Sequence, residues 1–583
     1  MPKKIRWWPA VLVVLLWLGA VGWFSWAGER TGQERTLAVL GVTAMALGLL
    51  FLWFLLLSRL PWRGRLLGAL GVVGLGFLAA QTVEIRGVSG DLLPVLAFKW
   101  TPRAGSQPLS PPAAAPEVPG TPSPEVPGTS ETPPEMAPEM AGTPAAPEVP
   151  GTHPQAPGEP PPAEPSPEVP GTSVASPEMA GTPVPEVAGT SRTLAGAADW
   201  PGFLGPRRDG SAPDVRLARD WQARPPRQVW RIPVGAGWAG FAVVGGRAFT
   251  IEQHGEEEVA TAYDLATGVR LWSHADRARY ETTIGGLGPR STPTVAEGRL
   301  FVMGATGRLR ALDAASGRLL WLRDTLADNG AENPEWGKSV SPLVVDGRVV
   351  VGAGGPAGRS VVAYDAGTGE PAWAGGDDGP SFSSPIVATL AGVRQVVSFN
   401  ANSLTGHSLD DGRVLWRYPW SAQQPNVSVP LVLPEDRLFA SSGYGVGAKV
   451  LQIATGENGT QTANLVWESP RLKAKFTNVV QHGGRLYGLD DGTLVCLDPA
   501  TGERCWKAGR YGHGQVILVG DLLLVATEEG ELVLVEPVPE ELRVLDTWRL
   551  FDGKTWNPPT LAGRYLLART DREAVLLELP VRE

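Results

Sequence analysis

The sequence predicts an all-β fold, an eight-bladed β-propeller, preceded by N-terminal transmembrane α-helices and a disordered Pro-rich linker. Two observations predict the propeller: a recurring strand–turn–strand phrase and a series of tryptophans 39 to 52 residues apart. A repeat of this length with several short strands per unit is typical of propeller blades. The marker tryptophans are Trp230, Trp272, Trp321, Trp373, Trp416, Trp467, Trp506 and Trp548.

The clearest copy of the repeat runs from Thr493 to Trp506. Its apolar start predicts a strand. Asp498 and Gly502 then predict a tight turn, because aspartate bonds to the backbone two residues on and glycine adopts a positive φ. The phrase recurs before four other marker tryptophans, with a shorter turn before Trp416, and loses its turn signature in the units ending at Trp467 and Trp548. A β-sandwich with accidental tryptophan spacing is the alternative that this repetition disfavours.

The final unit predicts how the ring closes. After Trp548 the chain offers three apolar runs, at 558–562, 564–568 and 574–579, where a blade needs four strands. The segment 228–232 around Trp230 lies before the first complete unit and supplies a fourth. We therefore expect it to pair with 574–579 as the outer strand of the last blade, which removes an exposed sheet edge.

The repeat pattern Ala-x-Asp-x-x-Thr-Gly-x-x-x-Trp resembles the tryptophan-docking motif of the PQQ-like, quinoprotein-type propellers. The segment Asp199-Trp-Pro-Gly-Phe-Leu-Gly-Pro206 is similar to the start of the bacterial PQQ-binding-like propeller repeat proteins. The resemblance covers 199–583. It implies eight blades, with each tryptophan wedged between neighbouring blades.

Residues 1–86 are predicted to be a membrane anchor of about three transmembrane helices. The stretches 8–26 and 37–57 carry no charge, and 66–83 is apolar but rich in glycine. Each is long enough to span a bilayer. A cleaved signal peptide is the alternative for the first stretch. If the third stretch does not span, the propeller would lie in the cytoplasm.

Basic residues orient these helices. Lys3, Lys4 and Arg6 precede the first stretch, and further arginines lie between the second and the third. The positive-inside rule then places the N-terminus in the cytoplasm and the propeller outside it. The predicted location is the bacterial inner membrane, with the propeller on the periplasmic side.

A juxtamembrane segment, 87–103, is expected to lead into a linker at 104–191, and the propeller occupies 192–583. The linker repeats Pro-Glu-(Val/Met)-(Pro/Ala)-Gly-Thr and contains eleven glutamates but no Lys, Arg or Asp. Such a composition favours extended, disordered chain. Fully extended, it would reach on the order of 250 Å. A docking tract for proline-binding domains is the alternative to a simple spacer.

Charge and motif content exclude several function classes. The chain carries −9 overall and residues 192–583 about −5, which gives no electrostatic footprint for nucleic acid. The six histidines show no metal-site spacing, and the sequence has neither a P-loop nor a nucleophile elbow. Cys496 and Cys505 flank one turn, and the sequence leaves open whether they form a disulfide.

A candidate site follows from the segment that leads into the first strand of each blade. Position-equivalent residues of these leading segments should converge on one ring. Cations with aromatic walls suit a planar or anionic ligand; the alternative is a solvated rim of strand-start residues. The candidate ligand-binding residues are Arg290, Lys338, Asn426, Lys475, Asn478, Tyr511, His513, Gln515, Trp556 and Asn557, with Trp336 beside them.

Two functions follow from the resemblance. The first is a non-catalytic binding or scaffold module of the cell envelope, comparable to the propeller of the outer-membrane-protein assembly machinery. Its partners would be the lipid bilayer, envelope proteins or a small anionic ligand. The second is a membrane-bound, PQQ-dependent quinoprotein dehydrogenase that oxidises alcohols or sugars and needs PQQ and Ca²⁺.

The family's enzymes use an aspartate base, often with a disulfide between adjacent cysteines and a tryptophan floor. This chain has no Cys-Cys pair, and no Asp falls in the aligned ring, although Trp336 or Trp556 suits a floor. We therefore favour the first function, with no catalytic residue and no metal ligand assigned.

Overall fold

A computed structural model describes residues 6–26, 32–100, 194–421 and 425–582. The N-terminal part contains helices at Trp8–Trp26, Gly32–Leu52 and Trp62–Thr82, with a π-helical turn at Trp53–Leu57. Three helices, the second extended to Leu57, are long and apolar enough to cross a membrane. A two-stranded hairpin, Val83–Val88 and Pro94–Phe98, follows directly.

The rest of the described chain contains eight blades of four antiparallel strands, one of which carries a fifth, parallel strand, so the predicted eight-bladed propeller is confirmed. Blade 1 consists of Ala242–Val244, Arg247–His254, Glu257–Asp264 and Arg270–Arg277. Blade 2 consists of Thr294–Ala296, Arg299–Met303, Arg308–Asp313 and Leu319–Asp324. Blade 3 consists of Leu343–Val345, Arg348–Gly355, Arg359–Asp365 and Pro371–Gly375. Blade 4 consists of Ile386–Leu390, Val393–Phe399, Ser403–Ser408 and Val414–Pro419.

The second half repeats this arrangement. Blade 5 consists of Leu431–Leu433, Arg437–Ser442, Gly447–Thr455 and Gln461–Ser469. Blade 6 consists of Val480–His482, Arg485–Asp490, Thr493–Leu497 and Arg504–Arg510. Blade 7 consists of Gln515–Val519, Leu522–Ala526, Glu531–Pro537 and Leu542–Arg549, with the short strand Ser211–Ala212 added in parallel. Short pieces at Glu281–Thr282, Gly286–Leu287 and the 3₁₀ turn Ala327–Asn329 lie between blades.

Blade 8 closes the ring as the sequence predicts. Its strands are Thr560–Ala562, Tyr565–Arg569, Glu573–Glu578 and, from the start of the propeller, Arg227–Pro233. Trp230 lies opposite Leu576 in the last pair. The buried Arg569 donates to the Gly235 carbonyl (2.6 Å) and to the Thr250 hydroxyl (2.8 Å), which joins blade 8 to blade 1.

Six of the eight marker tryptophans donate an indole hydrogen bond to the next blade. The indole of Trp321 donates to the Ala366 carbonyl of blade 3 at 3.1 Å. Its ring also covers Gly369, which has φ +75°, so closely that a Cβ there would lie 2.6 Å from the ring. This contact explains why the Thr-Gly turn needs glycine for space as well as for φ. Trp416 departs from the pattern, because it donates to Gln395 of its own blade at 2.6 Å.

The two cysteines are free in the structure. Cys496 is buried in blade 6 and lies opposite Trp506, whereas Cys505 is exposed. Burial raises the pKa of the Cys496 thiol to about 12, so it is an inert core residue at neutral pH.

Candidate binding site at the mouth of the propeller

Side chains from the leading segments of all eight blades line one cavity of about 240 Å³, which therefore lies on the propeller axis. We call this cavity and its rim the mouth. Seven aromatic side chains line it. The ring centroids of Trp238 and Phe476 each lie 5.1 Å from that of Trp556, and the centroids of Trp336 and Phe382 are 5.3 Å apart. The seven are Phe203, Trp238, Trp336, Phe382, Tyr444, Phe476 and Trp556.

The tip of the N-terminal hairpin also lines the mouth. We call its residues Ser89–Leu93 the anchor turn. The Ser89 hydroxyl accepts hydrogen bonds from the amides of Asp91 (3.2 Å) and Leu93 (3.1 Å), which is the local bonding expected of serine in a turn. Gly90 sits so close to the propeller that a Cβ there would lie 1.9 Å from the His513 ring, so only glycine fits.

Backbone groups of the hairpin are held by charged side chains of the propeller. The Gly90 amide donates to Glu528 at 2.7 Å, and the Gly90 carbonyl accepts from the Lys475 ammonium at 3.0 Å. The Val88 carbonyl accepts from Lys554 at 3.1 Å. Burial lowers the pKa of Lys475, and lowers that of Lys554 to about 8. Both ammonium groups also lie against aromatic rings, with Lys554 3.7 Å from the Trp556 centroid.

The Asp91 carboxylate is held by two side chains of the propeller. It forms an ion pair with Arg510 and lies 3.2 Å from the His513 imidazole. Burial alone would raise the pKa of Asp91, but the His513 hydrogen bond and the Arg510 charge lower it to about 2. The carboxylate is therefore ionised throughout the physiological pH range.

The structure brings six of the ten candidate residues to the mouth. Arg290 lines the cavity and donates to the carbonyls of its own loop. Lys475 and His513 contact the anchor turn, as described above. Asn478, Gln515 and Trp556 also line the cavity, together with the predicted neighbour Trp336. The indole N–H of Trp336 is buried without a hydrogen-bond partner among the described residues.

The other four candidates lie elsewhere. Lys338 is fully buried and donates to the carbonyls of Gly352 (3.0 Å) and Ala353 (2.6 Å). Asn426 and Asn557 are buried and donate to backbone carbonyls of neighbouring loops. Tyr511 is half-buried and does not line the cavity. Asn426 and Asn557 thus join neighbouring blades, whereas Lys338 bonds within its own blade.

Sequence reasoning missed the anchor turn and two carboxylates. Glu528 and Asp491 lie in turns between strands rather than in leading segments, so alignment of those segments could not find them. Lys554 and Phe476 do stand in leading segments, where a cation next to an aromatic residue is a sequence signal that could have found them. Nothing in the sequence of Ser89–Leu93 indicates a contact more than 380 residues away.

The carboxylates at the mouth do not fit a Ca²⁺-bound tricarboxylate such as PQQ. Asp91, Asp491 and His513 offer ligand atoms within 4.8 Å of one another. However, Arg510 pairs with Asp91, and the Lys475 ammonium lies 3.8 Å from Asp491. Glu528 accepts hydrogen bonds from Gly90, His513 and Trp556. Calcium prefers six to eight oxygen ligands, and these carboxylates already serve other cations and donors.

Comparison with known proteins gives a consistent family. A family model described as outer membrane protein assembly factor BamB matches residues 219–333 and 255–508. The outer membrane protein assembly factor BamB of Shewanella oneidensis is 25% identical over 271 residues, which are 43% of this chain and 65% of that protein. The quinohemoprotein alcohol dehydrogenase ADH-IIG of Pseudomonas putida is 35% identical over 137 residues, 22% of this chain and 18% of that protein.

Among solved structures, BamB from Moraxella catarrhalis aligns with 61% of this chain and 99% of its own, at 14% identity and a TM-score of 0.46. This chain thus spans less than two thirds of the length of the curated relatives named above.

Proposed function

Because the chain belongs to the PQQ-like β-propeller family, we propose that it is a membrane-anchored binding or scaffold module of the bacterial cell envelope whose mouth binds polypeptide. The observation that carries this proposal is the chemistry of the mouth. Its side chains hold a peptide amide, two peptide carbonyls and a carboxylate beside an aromatic wall. Trp, Tyr and Arg, which are all present here, are enriched at the energetically important centres of protein interfaces.

We place the module at the inner membrane, with the propeller in the periplasm. Residues 1–86 would be the anchor, 87–103 a juxtamembrane segment, 104–191 the linker and 192–583 the propeller. Three apolar helices of 19, 25 and 21 residues support the anchor. The basic residues before the first helix and between the second and third support the orientation.

A topology reporter tests this orientation. Alkaline phosphatase fused after Arg103 is expected to be active, because three spans carry the chain from a cytoplasmic N-terminus to the outside. The same enzyme fused after Pro61, between the second and third helices, is the matched control and should be inactive. Activity only at the second position would place the propeller in the cytoplasm and contradict the location.

Site-specific photo-crosslinking tests the binding function. Ile284 lines the mouth and is 38% exposed, whereas Leu319 on the outer strand of blade 2 is 40% exposed. A photo-reactive amino acid at 284 should yield, in intact cells, a discrete product with an envelope protein. The same amino acid at 319 should not yield this product. Identical products from both positions, or none from 284, would contradict binding at the mouth.

A further inference from the structure

The contact between the anchor turn and the mouth has the features of a ligand in its site. The turn presents one amide, one carbonyl and one carboxylate, and each has a charged partner: Glu528, Lys475 and Arg510 respectively. Gly90 is buried, and its position is the one where a side chain has no room. The turn therefore contacts the mouth through specific polar groups rather than through general apolar packing.

The chemistry of these groups defines the ligand that the mouth selects. The mouth offers a cationic side chain to the Asp91 carboxylate, a second cation to the Gly90 carbonyl and a carboxylate to the Gly90 amide. This set of partners matches a Gly-Asp tight turn. The His513 ring occupies the space that a side chain at position 90 would need, so the mouth accepts only glycine there. A neutral or bulkier turn would leave charged groups unpaired or would clash, so it would bind more weakly.

The position of this turn in the chain adds a consequence. It follows the third apolar helix by seven residues, and residues 101–193 separate the hairpin from the described propeller. When the turn is bound, the mouth is held at the membrane anchor and partly covered by Ser89, Gly90 and Leu92. When it leaves, the propeller stays tethered only through 101–193.

We propose that the anchor turn is a resident ligand of the mouth, which recognises acidic Gly-Asp turns, and that a similar turn of a partner protein displaces it and frees the propeller. This inference rests on the proposed function, namely that the mouth binds polypeptide. It adds the class of the ligand and a competition that regulates access to the site.

Cleavage of the covalent tether tests the contact directly. A protease site is inserted between Gly151 and Thr152 of the full chain, and membranes containing the protein are cut and sedimented. The propeller is expected to remain with the membranes, because the anchor turn still holds it. Loss of the propeller from the membranes upon cleavage of the otherwise unchanged chain would overturn the proposal.

Four variants show whether retention depends on the turn. Asp91→Asn removes the charge that pairs with Arg510, and Gly90→Ala introduces the clash with His513. Each should weaken the affinity of the mouth for the anchor turn about tenfold or more. Asp91→Asn loses a charge-assisted contact, and Gly90→Ala no longer fits beside His513. Leu96→Ala in the same hairpin, where Leu96 is 63% exposed and lies outside the anchor turn, and Glu529→Gln beside Glu528 are controls and should retain the propeller. Equal retention by all four would overturn the proposal.

Competition identifies the ligand class. A synthetic peptide of residues 83–98, closed by added terminal cysteines, should release the cleaved propeller from the membranes. The same peptide with asparagine in place of Asp91 should need about a tenfold higher concentration to release the same fraction of propeller. Equal potency of the two peptides would refute recognition of an acidic turn. Failure of the envelope crosslink at Ile284 would count against the proposed function alone, since retention is measured without any partner.

Discussion

Deletion of residues 192–233 is expected to abolish cooperative unfolding of the propeller or to cause aggregation. These residues include Arg227–Pro233, the outer strand of blade 8, and Trp200, Leu217 and Trp221, which are buried in the largest core cluster. Their loss exposes a sheet edge at Glu573–Glu578 and opens the ring between its first and last blades. Circular dichroism during heating and size-exclusion chromatography of the full chain measure the effect.

Deletion of the linker 104–191, more than twice as long, is the matched control. It removes no described residue of any blade, so we expect the thermal midpoint of the propeller to stay almost unchanged. Similar behaviour of the two deletions would contradict both the closure of the ring and the count of eight blades.

The second large effect is expected at the contacts between blades. Trp321→Ala should reduce the free energy of unfolding by about 3–5 kcal/mol, because a buried aromatic ring is lost and a cavity remains. The indole also forms the hydrogen bond to Ala366, and its ring covers Gly369. Trp506→Ala should behave similarly, since Trp506 donates to Val538 of blade 7 at 2.8 Å. Denaturant titration provides the measurement.

Leu322→Ala is the control for Trp321, because Leu322 is the next residue in the strand and is 39% exposed. It should cost less than about 1 kcal/mol, as is usual for surface substitutions. Gly369→Ala approaches the same contact from blade 3 and should destabilise strongly, because its Cβ would meet the ring. If the tryptophan and leucine variants were equally stable, the tryptophans would not join the blades.

The fold was predictable because the repeat carries its own geometry. Trp272, Trp321 and Trp373 each pair across the sheet with the alanine of the preceding Ala-x-Asp, and a bulge follows that pair each time. The Asp, the Gly and the Trp therefore report one local structure wherever they recur. Even the units without the turn signature keep the pairing, as Val450 with Trp467 and Leu532 with Trp548 show.

The site was predictable only in part. Leading segments converge because of blade symmetry, and this placed Arg290, Lys475, His513 and Trp556 at the mouth. Symmetry does not specify where a side chain points, so the buried Lys338 was grouped with them although it bonds to carbonyls of its own blade. The anchor turn lies outside the repeats, so the repeat pattern could not predict its contacts with Lys475 and Arg510.

If the mouth binds polypeptide and not a quinone cofactor, PQQ and Ca²⁺ should not stabilise the full chain, and its ligand-dependent stability tests this most directly. A ligand that binds only the folded state at a hundredfold excess over its Kd stabilises it by about 2.7 kcal/mol. With PQQ and Ca²⁺ added together, we predict an unchanged thermal midpoint for the intact protein and for Asp91→Asn, in which we expect the anchor turn to bind the mouth less tightly. A saturable rise in the midpoint that requires both PQQ and Ca²⁺ would contradict the account.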